Sequence, residues 1–493
     1  MFCRLTRKFR LRGWEKLPYA LLDMQSHMAS FFSKPVMDVL VRCDGNWDFS
    51  SFLTSATERE IVSDLLARGV VEECEPRAGI APEQRYRFYQ NRYVQAVHWS
   101  LTGRCNYHCR HCYMSAPEAR FGELSHEAAL SIARQIGECG IPRVSLTGGE
   151  PLVRHDFIDI AHELAKRDVA ITQLYTNGSL LTEQVIDELA ELGQKPVVIM
   201  SFDGVGHHDW LRGTSGAEQA ADRALSLCTS KGVKTQVQMC LHRGNVDAMQ
   251  ATVNHLAKLG CGGVRIGCVS DTGDWLRNRK GLSLTQDEYR EAALRYISTY
   301  YDDGMPLPII LSGVFSASPQ KPDAFALAPC QLKEDDGSDL LFSCARLTPQ
   351  IYADGRIAIC DDLDADFVGM PPVASDDQGV EVTTLAEALS TGSRYMSLMD
   401  IRRRDFYAQN PGCASCDYLR LCGGGCRANA HAATGSILGT DPIICSFFKD
   451  GWAQKVVEVV RDVRPTATFA SPSDLQKLFQ ARADTVARAT RPR

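Results

Sequence analysis

Between residues 94 and 314 the chain alternates short apolar segments, which are typical of strands, with longer segments that carry the apolar period of helices. Repeated units of this kind predict an α/β fold with a parallel sheet and helices outside it. Six units make a partial (βα)6 barrel, whose chemistry is expected at the C-terminal ends of the strands. The predicted strands are Val94–Leu101, Arg143–Leu146, Ala170–Tyr175, Val197–Phe202, Thr235–Leu241 and Val264–Val269. The predicted helices are Ser125–Cys139, Asp156–Arg167, Thr182–Leu192, Gly216–Lys231 and Asn245–Leu259.

A different pattern precedes this barrel. Residues 1–80 predict a small winged-helix-like α+β domain with helices over Lys34–Cys43 and Ser55–Arg68. In the second helix Thr57 stands three residues before Glu60, which is the spacing of a capping box.

Three further segments complete the predicted domain order. The polar segment 81–93 predicts a linker between the first domain and the barrel, which we take as residues 94–314. Regular periodicity then weakens and cysteines become frequent, which predicts a third domain over residues 315–450. Residues 451–493 are expected to form one helix, Trp452–Val463, and a polar tail.

Composition limits the class of protein. A chain of 493 residues with 44% hydrophobic and 23% charged residues is globular and too long for one ordinary domain. Its net charge of −6 gives no reason to expect a nucleic acid partner. No apolar run is long enough for a membrane span, and the basic N-terminus lacks the apolar core of a signal peptide, so we expect a cytoplasmic protein. Nineteen cysteines in such a chain indicate metal sites rather than disulfides.

Three of the cysteines stand close together just after the first predicted strand. Cys105, Cys109 and Cys112 have the spacing C-x3-C-x2-C. A [4Fe–4S] cluster normally takes four cysteines, so three would leave one iron open to a small molecule. Zinc is the alternative, because His108 or His111 could supply a fourth ligand.

A glycine-rich segment, Thr147-Gly148-Gly149-Glu150-Pro151, follows the second predicted strand. Paired glycines let a backbone approach a ligand closely and offer it N–H and C=O groups. Joined to the cysteine triplet upstream, this segment resembles the signature of the radical S-adenosylmethionine (radical SAM) enzymes. The resemblance covers about residues 94–314 and would make the partial barrel a radical SAM barrel.

The resemblance implies that the open iron binds S-adenosylmethionine (SAM), and that an electron from the cluster cleaves it to methionine and a 5′-deoxyadenosyl radical. It also implies that the backbone around Gly149 holds the methionyl amine and that Arg212 pairs with the SAM carboxylate. A guanidinium suits that role because it offers two parallel hydrogen bonds. The cofactor contacts implied by the resemblance are Tyr113, Gly148, Gly149, Glu150, Pro151, Asn177, Ser201, Arg212 and Gln238.

A second set of cysteines lies in the third domain. Cys344 and Cys360 are separated by fifteen residues, and a run with the spacing C-x2-C-x5-C-x3-C begins at Cys413 and is followed by Cys445. This pattern resembles the SPASM extension of radical SAM enzymes that modify peptides and proteins. The resemblance implies two auxiliary [4Fe–4S] clusters, and a zinc ribbon is the alternative. The outer cluster would take Cys413, Cys416, Cys422 and Cys445, and the inner one Cys344, Cys360 and Cys426.

Cys330 leaves the inner cluster open to two interpretations. It lies fourteen residues before Cys344 and could be the fourth ligand, in which case the inner cluster acts mainly as an electron relay. Without it, an open iron could bind a substrate thiolate. We favour ligation by Cys330.

The N-terminal domain indicates a substrate class. Its element order resembles the small domains that recognise the leader of ribosomally made, modified peptides. Such domains bind the leader as an added strand on a sheet edge. A generic winged helix or accessory fold is the alternative.

These features together predict a radical SAM/SPASM maturase that abstracts hydrogen from a precursor peptide and forms an intramolecular crosslink. A thioether to cysteine is the expected bond, with the excess electron leaving through the auxiliary clusters to a flavodoxin- or ferredoxin-type partner. By resemblance to a related maturase group, Asp361 is the candidate base, and a solvated acidic loop is the alternative for that segment.

Three other functions remain open at this point. The same machinery could form a carbon–carbon or ether crosslink between side chains. It could also oxidise a protein Cys or Ser to formylglycine. A protein of a different class, a zinc-binding or electron-carrier protein, would use the same cysteines without catalysis.

Overall fold

The computed structural model describes residues 1–118, 120–327, 340–342 and 348–469. The predicted ligands Cys330 and Cys344 and most of the predicted polar tail lie outside these residues. No helix in the described part of the chain has both the length and the apolar character that a membrane crossing requires.

The first 92 residues form two small sheets and two helices. In one sheet β1 lies between β5 and β6, and in the other the order is β4, β3, β2 and β7. An apolar cluster that includes Leu5, Val39 and Leu65 holds the helices against the first sheet. The elements are β1 (Phe2–Leu5), β2 (Phe9–Glu15), β3 (Leu17–Asp23), β4 (Met28–Phe31), α1 (Lys34–Arg42), β5 (Asp44–Asp48), α2 (Ala56–Ala67), β6 (Val71–Glu73) and β7 (Arg87–Arg92).

Two details of this region differ from the sequence prediction. Helix α2 does begin with a capping box, but it is formed by Ser55 and Glu58 rather than by Thr57 and Glu60. The Glu58 carboxylate accepts a hydrogen bond from the Ser55 N–H at 2.7 Å. The N-cap of the helix is therefore Ser55, two residues before the predicted Thr57. The segment predicted as a linker contains β7, which pairs in parallel with β2.

The barrel has the predicted alternation, and all six predicted strands are present. Seven strands, β8 to β14, are parallel neighbours in chain order, so one strand extends the six that were predicted. The strands are β8 (Val97–Ser100), β9 (Arg143–Thr147), β10 (Ala170–Thr176), β11 (Val197–Ser201), β12 (Thr235–Leu241), β13 (Val264–Cys268) and β14 (Ile309–Leu311). The helices are α3 (His126–Glu138), α4 (Phe157–Lys166), α5 (Glu183–Glu191), α6 (His208–Arg212), α7 (Ala217–Ser230), α8 (Met249–Lys258), α9 (Trp275–Asn278) and α10 (Gln286–Asp302).

Strand β12 explains how the barrel separates its core from its interior. Val237, Met239 and Leu241 are buried in the apolar cluster beneath the helices. Gln238 and Cys240, the alternate residues, face the opposite side and line the central cavity. The two-residue period of a strand therefore directs every second side chain of β12 toward the central cavity.

The rest of the chain extends the sheet at both ends. Beyond β14 the sheet continues through β15 (Phe315–Ala317), β16 (Ala324–Leu327) and β19 (Thr468–Phe469). At the other end β17 (Gln350–Ile351) and β18 (Ile357–Ala358) form a hairpin, and β17 pairs in parallel with β8. The remaining helices are α11 (Ala365–Val368), α12 (Leu385–Ala388), α13 (Arg394–Met399), α14 (Arg403–Gln409), α15 (Pro411–Ala414), α16 (Leu419–Cys422), α17 (Arg427–Thr434), α18 (Pro442–Lys449) and α19 (Trp452–Val463).

One backbone carbonyl joins the N-terminal sheets to the barrel. The Cys139 carbonyl, at the end of α3, accepts hydrogen bonds from Trp14 Nε1 at 3.0 Å and from Asn91 Nδ2 at 3.1 Å. Next to it, a Cβ at Gly140 would overlap the ring of Tyr89. Arg92 then donates two hydrogen bonds to the Asp400 carboxylate, so the same strand also contacts the C-terminal region.

We expect the substitution Trp14→Ala to loosen this contact. It removes a fully buried indole and one donor to Cys139, which should lower the free energy of unfolding by about 3–5 kcal/mol. Hydrogen–deuterium exchange should rise in residues 137–142. The control Trp47→Ala removes a half-buried indole that packs against the apolar cluster of the same domain and contacts Arg42 and Thr54. It should leave exchange in residues 137–142 unchanged, and equal exchange in both variants would contradict the assigned role of Trp14.

Candidate functional site

A cavity of about 640 Å³ lies at the C-terminal ends of the barrel strands. The loops after β8, β9 and β10 form one side, and the hairpin β17–β18 with its following residues forms another. This is the position expected from the barrel architecture. The predicted residues that line the cavity are Cys105, Cys109, Cys112, Tyr113, Gly148, Gly149, Asn177, Ser201, Arg212, Gln238 and Asp361.

The three cysteines of the loop after β8 are suited to a metal cluster. Backbone N–H groups point at two of the sulfurs, from Tyr107 to Cys105 Sγ at 3.4 Å and from Ala116 to Cys112 Sγ at 3.3 Å. Burial raises the pKa of the Cys105 thiol to about 12, so it would not ionise near neutral pH without a bound metal. Three thiols in one cavity with such donors fit a [4Fe–4S] cluster better than a free nucleophile.

The glycine segment runs directly beside this loop. Gly149 N donates to the Thr102 carbonyl at 2.8 Å and Glu150 N donates to the Arg104 carbonyl at 2.9 Å. Gly148 has φ +145°, and a Cβ at Gly148 or Gly149 would overlap these same carbonyls. The two glycines are therefore required by the close approach of the two loops.

Glu150 and Pro151 lie behind the cavity lining rather than in it. The Glu150 carboxylate is fully buried and accepts from Thr176 Oγ1 at 2.8 Å and from Asn177 N at 2.7 Å. Burial raises its pKa to about 7, although these donors oppose the shift. Its side chain thus fixes the loop after β10 to the loop after β9 and does not line the cavity.

Arg212 approaches the cysteine loop from α6. Its Nη1 lies 3.8 Å from Cys109 Sγ, and its Nε donates to Asp203 Oδ2 at 2.6 Å. Burial alone would raise the pKa of Asp203, but the Arg212 guanidinium and His208 reverse the shift and hold it well below its usual range. The sequence predicted Ser201, two residues before Asp203, as a cofactor contact. It did not identify the Asp203 carboxylate.

Asp361 enters the cavity from the opposite side. Its Oδ1 accepts from Gln350 Nε2 at 2.5 Å. The Tyr113 hydroxyl also hydrogen-bonds this carboxylate, and burial together with Asp361 raises the pKa of Tyr113 well above its usual value. Because β17 pairs with β8, Gln350 lies opposite His98, so the sheet itself carries this acidic residue to the site.

Sequence reasoning did not identify several other residues in the cavity wall. His98 on β8 and Tyr175 on β10 contact each other, with ring centroids 5.3 Å apart. Both occupy inward positions of their strands, so the strand alternation was the signal that could have identified them. Tyr352, from the C-terminal hairpin region, also belongs to this polar wall, next to Asp361 and Asp362, the two acidic residues that the sequence does indicate.

Four of the C-terminal cysteines lie together. All four predicted outer ligands, Cys413, Cys416, Cys422 and Cys445, line a single small pocket between α15, α16 and α18. Of the predicted inner ligands, Cys360 and Cys426 both pack against the same apolar cluster. Because Cys330 and Cys344 lie outside the described residues, the inner ligand set stays a prediction.

Comparisons with known proteins agree with this geometry. A curated pre-heme d1 synthase from Dinoroseobacter shibae is 37% identical over 154 residues, but these cover only 30% of this chain and 37% of that protein. A PqqA peptide cyclase from Gluconobacter oxydans is 26% identical over 351 residues, which cover 70% of this chain and 88% of that one. The crystal structure of Streptococcus suis SuiB bound to the precursor peptide SuiA shares the fold, with a TM-score of 0.62 at 14% identity over 90% of this chain and 100% of SuiB.

A family model gives the assignment directly. The model of the radical SAM superfamily matches residues 99–256, which include the cysteine triplet, the glycine segment and Arg212. The resemblance of these motifs is therefore confirmed, and residues 99–256 are a radical SAM domain.

Proposed function

We propose that the protein is a radical SAM enzyme that modifies a ribosomally made precursor peptide and forms a crosslink within it, most simply a thioether to cysteine. One observation carries the proposal: the cysteine triplet and Asp361 line the same cavity. The names of the relatives support a peptide substrate, since one is a peptide cyclase and SuiB was crystallised with a precursor peptide. The pre-heme d1 synthase match covers only 30% of this chain and 37% of that protein, and its name indicates a different class of substrate.

Cys105, Cys109 and Cys112 would hold a [4Fe–4S] cluster with an open iron. When bound there, the cluster and SAM supply a 5′-deoxyadenosyl radical. The backbone of Gly148 and Gly149 would hold the methionyl amine, because no side chain keeps a ligand away from it. The other proposed contacts are Tyr113, Asn177, Ser201, Arg212 and Gln238, all of which line the cavity.

Asp361 would accept the proton that crosslinking releases. Forming a carbon–sulfur bond from a C–H and an S–H group removes two hydrogens from the peptide. One leaves as a hydrogen atom to the adenosyl radical, and the other leaves as a thiol proton together with one electron. Gln350 and Tyr113 fix the Asp361 carboxylate at the cavity wall, within reach of a substrate thiol held in the cavity.

The electron would leave through two auxiliary clusters. The pocket formed by Cys413, Cys416, Cys422 and Cys445 supports the outer cluster, because four thiols converge there. A flavodoxin- or ferredoxin-type protein in the cytoplasm would then exchange electrons with the enzyme.

The leader would bind the N-terminal domain as an added strand. Strand β4 ends its sheet, and the side chains of Met28 and Phe31 on it are exposed at 43% and 41%. An edge strand of this kind offers backbone groups for pairing and apolar side chains for contact. Crosslinks of the carbon–carbon or ether type, or oxidation to formylglycine, would use the same cavity. A carbon–carbon or ether crosslink also removes two hydrogens, so fragmentation and cysteine labelling, not the product mass, distinguish it from a thioether. Oxidation of serine to formylglycine removes two hydrogens as well, but it joins no side chains.

We expect co-expression with the cognate precursor to reduce the peptide mass by two hydrogens per crosslink. Fragmentation should then locate the bond, and iodoacetamide should no longer label the cysteine involved. A matched peptide without its leader should react more slowly, because it lacks the added strand. An unchanged peptide mass, with active SAM cleavage, would contradict crosslinking.

The substitution Asp361→Asn should separate radical formation from product formation. The variant should still release 5′-deoxyadenosine but lose at least about tenfold in crosslinked peptide, since general-base catalysis contributes that much or more. Asp362→Asn is the matched control, because Asp362 lines the same wall but is not bonded to Gln350. Equal loss of product in both variants would argue against a specific role for Asp361.

Iron and sulfide analysis tests the cofactor set. Three [4Fe–4S] clusters correspond to about twelve irons per chain, and Cys109→Ala should reduce this to about eight. The control Cys228→Ala changes a fully buried cysteine of helix α7 that packs in the apolar core cluster, and it should keep the full iron content. Stoichiometric zinc in place of iron would contradict the enzyme proposal.

A further inference from the structure

The Asp203 carboxylate does not line the cavity, yet both of its oxygens have hydrogen-bond partners. It lies two residues beyond β11 and is 0% exposed. Its Oδ2 accepts from Arg212 Nε at 2.6 Å and lies 3.1 Å from His208 Nδ1, while its Oδ1 accepts from Cys240 N at 3.0 Å. Its backbone carbonyl also accepts from Asn245 Nδ2 at 2.7 Å. These contacts fix both the carboxylate and the backbone that carries it.

The ion pair between Asp203 and Arg212 leaves the far end of the Arg212 guanidinium directed at the cavity. Asp203 binds the guanidinium through Nε, so it takes the side next to the aliphatic chain. Nη1, at the far end, lies 3.8 Å from Cys109 Sγ, and Arg212 lines the cavity there. Because the guanidinium is planar, turning its Nη groups about the Cδ–Nε bond would also turn the Nε–H away from Asp203. The position of Asp203 therefore sets the direction in which the Nη groups of Arg212 point.

We infer that Asp203 is a positioning residue, which holds Arg212 so that its outer donors bind the carboxylate of SAM beside Cys109. The inference rests on the proposed SAM contact of Arg212 and adds the group that makes this contact possible. An arginine on the short helix α6 would otherwise have several rotamers, and ordering it on binding would weaken affinity. Asp203 instead fixes the arginine before the ligand arrives, because both residues belong to the folded interior.

A double-mutant cycle on the reconstituted full-length enzyme tests the inference. SAM affinity is measured by titrating the change that SAM causes in the electron paramagnetic resonance spectrum of the reduced cluster. Arg212→Gln and Asp203→Asn should each weaken SAM binding by about tenfold, which corresponds to about 1.4 kcal/mol. If Asp203 acts through Arg212, the double variant should be no more than about twofold weaker than Arg212→Gln alone.

The matched control is Thr252→Val. Thr252 is fully buried, and its hydroxyl accepts from Val205 N, so it supports the same loop without touching the carboxylate or Arg212. It should keep wild-type SAM affinity. Iron content and melting temperature are measured for every variant, and Asp203→Glu replaces Asp203→Asn in the cycle if the latter loses its cluster.

Each outcome has a defined meaning. Additive losses in the double variant, or an equal loss in Thr252→Val, would overturn the positioning role and leave Asp203 as a structural residue. Normal affinity in Asp203→Asn together with weak binding in Arg212→Gln would also overturn it. Normal affinity in Arg212→Gln would instead refute the proposed SAM contact itself, which keeps the two failures distinguishable.

Discussion

The site depends on backbone hydrogen bonds that continue the pairing of β8 with β9 beyond the ends of these strands. Gly149 and Glu150 donate to carbonyls of the cysteine loop, so that loop is held as if it were part of the sheet. The two loops can approach closely enough for these bonds because Gly148 and Gly149 carry no Cβ, which would overlap the acceptor carbonyls. The other groups in the cavity, from Arg212 to Asp361, are arranged around a cysteine loop that is held in this way.

Much of the barrel could be predicted because its signals are local. The helices begin and end within a few residues of the predicted limits, since apolar period and turn residues are both read over short windows. The misplaced capping box has a similar local origin, because Ser55–Glu58 and Thr57–Glu60 both satisfy the same spacing. The polar composition of residues 81–93 concealed β7, whose strand structure comes from pairing with β2.

The parts of the site that escaped prediction depend on contacts between distant segments. His98 and Tyr175 are ordinary strand residues until the sheet is curved and their rings meet. In the sequence Asp203 resembles an ordinary turn residue. Its importance depends on Arg212, which α6 brings within hydrogen-bond distance of it. Glu150 belongs to a recognisable motif, yet its carboxylate serves the loop after β10 instead of the cavity. In each case the sequence shows the residue type but does not show which distant residue it contacts.

The pairing of β17 with β8 joins residues that are about 250 positions apart in the chain. During synthesis the radical SAM domain therefore leaves the ribosome well before Gln350 and Asp361 do. At that stage the cysteine triplet can already fold beside its glycine segment, whereas the acidic wall of the cavity does not yet exist. A nascent or C-terminally truncated chain would thus possess the half of the site that we propose forms the radical, without the half that we propose completes the reaction.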